Sequence, residues 1–177
     1  MKNILCRICM LLCLLPLPAL VLADAPHAGD LAPDVELGSG LDGKPVRVAD
    51  SNGEVVVLSF WASWCGPCRK ELPQLEGLQR VADDKKLGLQ VVAVNIEDRE
   101  TFRKIVPKLG AMHAKLVNER NKRSAAAYGV KGIPHLVIIG RDGRIVKIHV
   151  GYGEKSIDGI LGEINAQLQA PVAPSRS

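Results

Sequence analysis

Residues 54–61, EVVVLSFW, form an unbroken apolar run of strand length. Such a run suits a strand buried on both faces better than one with a wet side. A second run of this kind, LQVVAVNIE at 89–97, follows a segment that opens at Gly66 and repeats Leu72, Leu75, Leu78 and Val81 at helical spacing. Buried strands alternating with helices call for a parallel sheet covered on its faces. The remaining segments fit around that centre. PDVELGSGLDGKPVRVAD (33–50) reads as a short hairpin with turn chemistry at Gly40 to Gly43. DRETFRKIVPKLG (98–110) reads as a helix closed by Pro107 and Gly110, AKLVNE (114–119) as a short strand, and RNKRSAAAYG (120–129) as a helix capped at Gly129. HLVIIG and RIVKIHVG, joined by a tight turn over 135–151, make an antiparallel hairpin, and EKSIDGILGEINAQL (154–168) a last amphipathic helix. The expectation is one mixed-sheet α/β domain over 24–170, with a flexible tail at 171–177.

The chain has 177 residues, room for a single domain with a real core. Its first segment, MKNILCRICMLLCLLPLPALVLADA, has a basic start, an apolar stretch and small residues near its end. This is the pattern of a secretory signal peptide, over residues 1–23 with cleavage after Ala23 or Ala25. An uncleaved membrane anchor is the alternative, weakened by Pro16 and Pro18. Leu12 stands before Cys13 where a lipoprotein site expects a small residue, so Cys6, Cys9 and Cys13 read as apolar filler of the leader. Setting aside Lys2 and Arg7 leaves 21 bases against 19 acids. A balance that even argues against nucleic acid or an anionic membrane as partner.

Beyond the leader only Cys65 and Cys68 remain, in FWASWCGPCRKELP, within an oxidising compartment. As a staple the pair closes too short a loop to gain much stability. As a zinc clip it lacks a second pair, and the four histidines are scattered. As a reagent it is well placed. Cys65 falls where a buried strand ends and a helix starts, and Pro67 suits the first helical turn because it has no N–H to leave unpaired. Free amides and the helix dipole favour a thiolate at Cys65, expected to be the more exposed of the two. Cys68, one turn on, lies within reach for an internal disulfide. No cofactor beyond the two sulfurs is required.

FWASWCGPC resembles the thioredoxin signature. The wider pattern APDVEL, DGKPVRVAD, VVAVNIED, YGVKGIP and GRDGRIV resembles the TlpA/ResA/DsbE family of exported thioredoxin-like proteins, across roughly residues 30–168. The resemblance implies a thioredoxin-like fold: a mixed central sheet flanked by helices, with an added N-terminal β-hairpin. It also implies a cis bond before Pro134 in GIP, facing the cysteines. Trp64, Gly66, Pro67, Ile133 and Pro134 would then line the substrate groove. Glu71 matches an acidic residue that such proteins place near the thiols; from spacing alone it reads as an exposed acid complementing the helix dipole. Pro73 matches the helix-kinking proline of the fold. Two positions depart from related patterns. Ser59 stands where thioredoxin keeps a buried aspartate, and His135 where thioredoxins carry Thr and DsbE-type proteins Glu.

These features imply an exported, periplasmic thiol:disulfide oxidoreductase, a reductant rather than an oxidant. Cys65 would be nucleophile, Cys68 resolving thiol and Glu71 proton carrier. Its partners would be disulfide-containing proteins, in cytochrome c maturation or metalloprotein thiol reduction, and a membrane thiol-electron donor. A copper-binding or copper-site thiol-reducing module for an oxidase is the rival from another class. A peroxiredoxin-like peroxidase fits less well, because it expects a lone peroxidatic cysteine.

Overall fold

The computed structural model describes residues 24–151 and 154–170. The expected leader at 1–23 and tail at 171–177 lie outside them. Seven strands form one sheet: β1 Glu36–Ser39, β2 Pro45–Arg47, β3 Val55–Trp61, β4 Leu89–Asn95, β5 Lys115–Asn118, β6 His135–Ile139 and β7 Ile145–Val150. Four α-helices accompany them: α1 Gly66–Lys85, α2 Arg99–Ile105, α3 Arg123–Ala127 and α4 Glu154–Gln169. Across the sheet the order is β2-β1-β5-β4-β3-β6-β7. β3 pairs parallel with β4 and β4 with β5, while the hairpins at either end run antiparallel. This is the thioredoxin-like mixed sheet with its added N-terminal hairpin.

β3 is buried along its whole length, as its unbroken apolar run requires. Alternate residues serve opposite faces. Val55 and Val57 pack with Leu75 of α1 and with Ile160 and Ile164 of α4. Val56, Leu58 and Phe60 pack on the other face with Leu37 and Tyr128. The hairpin joins the sheet where β1 meets β5, through Ser39 and Asn118. A close approach at Gly38 makes this possible: with φ of 145°, a Cβ there would lie 2.6 Å from the Asn118 carbonyl carbon.

Two expectations need correction. The helix expected over 120–129 is only five residues long, because Asn121 and Lys122 both adopt left-handed backbone and delay its start. The face of α1 that packs is also turned from the one expected. Leu72 and Leu75 are buried, but Val81 is exposed, and Gln79 and Ala82 are buried instead. Gln79 is drawn inward by the start of β4: its side-chain oxygen accepts from Val91 N at 2.6 Å and its amide donates to the Leu89 carbonyl at 3.1 Å. A polar side chain that satisfies two strand backbone groups can occupy a core position.

Candidate active site

The central strand delivers the cysteines. β3 ends at Trp61, the chain turns, and Cys65 becomes the N-cap of α1. Its Sγ accepts a hydrogen bond from Cys68 N at 3.2 Å, the place a capping oxygen ordinarily fills. The next two positions are Gly66 and Pro67, and Pro67 occupies the first turn as expected. Cys65 and Cys68 are joined in a disulfide with sulfurs 2.04 Å apart and Cα atoms 5.3 Å apart. Both are nearly covered, at 5% and 1% exposure, so the helix start is less open than its position suggests. Trp64 beside them is 69% exposed. Glu97 fixes the turn between strand and helix, accepting from Ser63 N and Ser63 Oγ, each at 2.7 Å. The sequence reading missed Glu97; its adjacency to Asp98 in a charged loop marks neither as structural.

Glu71 is not the exposed acid that spacing alone suggests. It is 2% exposed, one turn beyond Cys68, and its carboxylate accepts from Ser59 Oγ at 2.6 Å. Burial pushes its carboxyl up from the ordinary range, against smaller downward pulls from the Ser59 hydrogen bond and the charge of His149. Ser59 thus occupies the centre of β3 as the partner of a carboxyl supplied by α1. The departure at Ser59 and the presence of Glu71 are one arrangement. The burial of Glu71 has a signal in the sequence, since Glu71 lies between Cys68 and Leu75 on the face of α1 that packs.

The Ile133–Pro134 bond is cis, as the resemblance implied. Ile133 packs against the cluster formed by Trp61, Ala62, Cys65, Cys68, Leu72 and Ala93. His135 begins β6, 4% exposed and edge-on to Phe60 at 5.9 Å between ring centres. Neither ring nitrogen has a hydrogen-bond partner among the described residues. Burial holds the imidazole below the usual histidine range, in its neutral form. Trp64 also lines an open cleft of about 550 Å³ together with Ile96, Ala125 and Val130.

A sulfur capped by an amide, a second sulfur bonded to it, and a buried carboxyl one turn away can pass a disulfide to and from another molecule. Similarity to known proteins points the same way. The Redoxin family model matches residues 27–162. The chain belongs to the Redoxin family. Among its relatives, the thiol-disulfide oxidoreductase ResA of Geobacillus thermodenitrificans is 34% identical over 128 residues, covering 72% of this chain and 71% of that one. The thioredoxin-like protein YneN of Bacillus subtilis is 37% identical over 127 residues, covering 70% and 71%. Among solved structures, a Chlorobium tepidum protein assigned as the thiol:disulfide interchange protein DsbE superposes with a TM-score of 0.73 at 36% identity, over 80% of this chain and 98% of that one. This Redoxin chain is thus an exported thiol:disulfide oxidoreductase of the ResA/DsbE type, with Cys65–Cys68 as its redox-active pair. Membership implies exchange with protein substrates.

Proposed function

We propose that the protein is a periplasmic reductant of protein disulfides, with residues 1–23 a cleaved signal peptide, 24–170 the catalytic domain and 171–177 a C-terminal tail. The observation that carries the direction is the buried Glu71 carboxyl one turn from Cys68. A dithiol becomes oxidising when its thiolate is strongly stabilised. A carboxyl that ionises nearby opposes that thiolate and shifts the balance towards the disulfide, which is what a reductant requires.

In this reading the Cys65 thiolate attacks one sulfur of a substrate disulfide. A new S–S bond forms, the substrate's own bond breaks, and its leaving thiolate takes up a proton. Cys68, deprotonated by the Glu71 carboxylate, then attacks Cys65 Sγ. The second substrate sulfur leaves as a thiol, two electrons have passed to the substrate, and Cys65–Cys68 is left as the disulfide. Trp64, Gly66 and Pro67 would border the substrate sulfur that Cys65 attacks. The backbone of Ile133 beside cis-Pro134 would hydrogen-bond an extended segment of the same substrate. The substrates would be proteins of cytochrome c maturation or metalloproteins whose thiols must be reduced.

Equilibrium in an oxidising compartment would not keep such a pair reduced, so a membrane thiol-electron donor is required. Acid-quenched cells treated with an alkylating mass tag test this. Cys65 and Cys68 are expected mainly as thiols, passing to the disulfide in a strain that lacks the donor. A pair found oxidised at rest, whatever happens to the donor, would recast the protein as an oxidant.

A further inference from the structure

Ser59 does not stand alone in its row of the sheet. In register it faces Leu136 of β6, and Leu136 faces His149 of β7. Residues in register point to the same face. Two contacts fix which face that is: Ser59 Oγ donates to Glu71 of α1, and His149 Nε2 lies 2.7 Å from Glu163 Oε2 of α4. Two interstrand spacings put His149 roughly 10 Å from Ser59 along the row. The space between them holds Leu136, buried among Leu75, Ile160 and Ile164. Among the described residues no hydrogen-bonded chain crosses this gap, but an apolar gap transmits charge well, because little screens it.

The groups around Glu71 are few. Its own helix contributes the Cys65–Cys68 pair. β3, β4 and β6 turn Ser59, Ala93 and Leu136 to this face, β7 contributes His149, and α4 contributes Glu163 behind it. His135 belongs to the opposite face, with Phe60. Arg69 and Lys70, which precede Glu71 on α1, are exposed, as is Lys147 of β7, in register with Ile138 on this face. Among the described residues His149 is the one able to carry a positive charge within the row of Ser59 and Leu136. His149 and Glu163 are each partly withdrawn from solvent, at 21% and 36% side-chain exposure, and their side chains are in direct contact.

We propose that His149 is a positioning residue for thiol exchange: its imidazolium, held by Glu163, acts across Leu136 to keep Glu71 available as a carboxylate when Cys68 must lose its proton. This rests on the role given above to Glu71, yet it can fail separately. At roughly the 10 Å that separates His149 from Ser59, the hydrogen-bond partner of Glu71, a unit charge in surroundings of effective dielectric constant about 20 moves a carboxyl by about one pH unit. Without His149 the carboxyl should therefore hold its proton to higher pH.

The test follows the Glu71 carboxyl carbon by NMR through a pH titration of the oxidised protein, where the cysteines do not titrate. His149→Gln should move the Glu71 midpoint up by about one pH unit, and His149→Lys, which restores a cation, should bring it back towards wild type. The pH–rate profile for reducing a small neutral disulfide, hydroxyethyl disulfide, should shift in the same direction in His149→Gln. In a Glu71→Gln background, His149→Gln should leave that profile unchanged. Equal Glu71 midpoints in wild type, His149→Gln and His149→Lys would overturn the proposal, as would a loss of melting temperature with no movement of the titration. A shifted midpoint with a rate profile indifferent to it would keep the coupling and reject the role of Glu71 as proton carrier.

Discussion

Cys65→Ser is expected to reduce protein disulfides at less than about a thousandth of the wild-type rate, since it lacks the nucleophile itself. Cys68→Ser should behave differently. Its Cys65 keeps the capped position at the start of α1, so it still attacks substrate, and with no resolving sulfur the mixed disulfide persists. Non-reducing electrophoresis of envelope extracts should show Cys68→Ser in adducts that collapse on adding dithiothreitol, and Cys65→Ser without them. Mass spectrometry of those adducts would also identify the substrates. Equal trapping by the two variants would contradict the assignment, because it would mean that either sulfur reaches substrate. The 5% and 1% exposures of the two cysteines favour Cys65, and the difference is small enough that the experiment is a real test.

A second large effect is expected at His135. A buried ring with both nitrogens unpartnered among the described residues forgoes hydrogen bonds that it makes to water when unfolded. Leucine, close to histidine in size, would remove those polar atoms while still packing against Phe60. His135→Leu should be more stable than wild type by about 1–2 kcal/mol at pH 7. The gap should widen in acid. Because burial lowers the folded-state pKa of His135, the unfolded chain binds a proton that the folded protein refuses once the pH drops below about 6.5. Wild type should therefore lose stability from that point down to the folded-state pKa, with a limiting slope of about 1.4 kcal/mol per pH unit. The variant lacks this term. Glu71 acts in the opposite sense in both proteins: its raised pKa gives stability that is present below the ordinary carboxyl pKa and lost as the pH rises through the folded one. The difference between the two urea-unfolding curves, taken from pH 5 to pH 8, isolates His135. A constant difference over that range would show that the ring is not held neutral by its burial.

The strands were legible because burial on both faces leaves a continuous apolar trace, as in β3 and β4, and the cysteine pair because its helix start is written in adjacent residues. What escaped depends on contacts between distant segments. Nothing near Glu71 in the chain names Ser59, twelve residues back, as its partner. Gln79 looks like a surface residue until the backbone of β4 is brought against it. Val81 continues a leucine spacing without sharing its burial, because apolar period alone leaves the orientation of a helix uncertain by about one residue. The cis bond at Pro134 came from family resemblance rather than from local propensity, which favours trans.

The outer strands of the sheet have a further consequence. β2 is three residues long and begins at Pro45, which has no N–H to offer a neighbouring chain. At the far side, residues 29–32 lie over the start of β7, with Ile145 N donating to the Asp30 carbonyl and Gly29 N to the Ile145 carbonyl. The exposed Lys147 follows along the same strand, a charge of the kind that discourages another strand from docking. A protein that exchanges disulfides with incompletely folded chains meets extended segments at each turnover, and such segments seek open sheet margins on which to anneal. With both margins blunted, a client held by its sulfur has little ladder to zip onto, so release can follow the breaking of the S–S bond instead of waiting for a second, non-covalent attachment to dissolve.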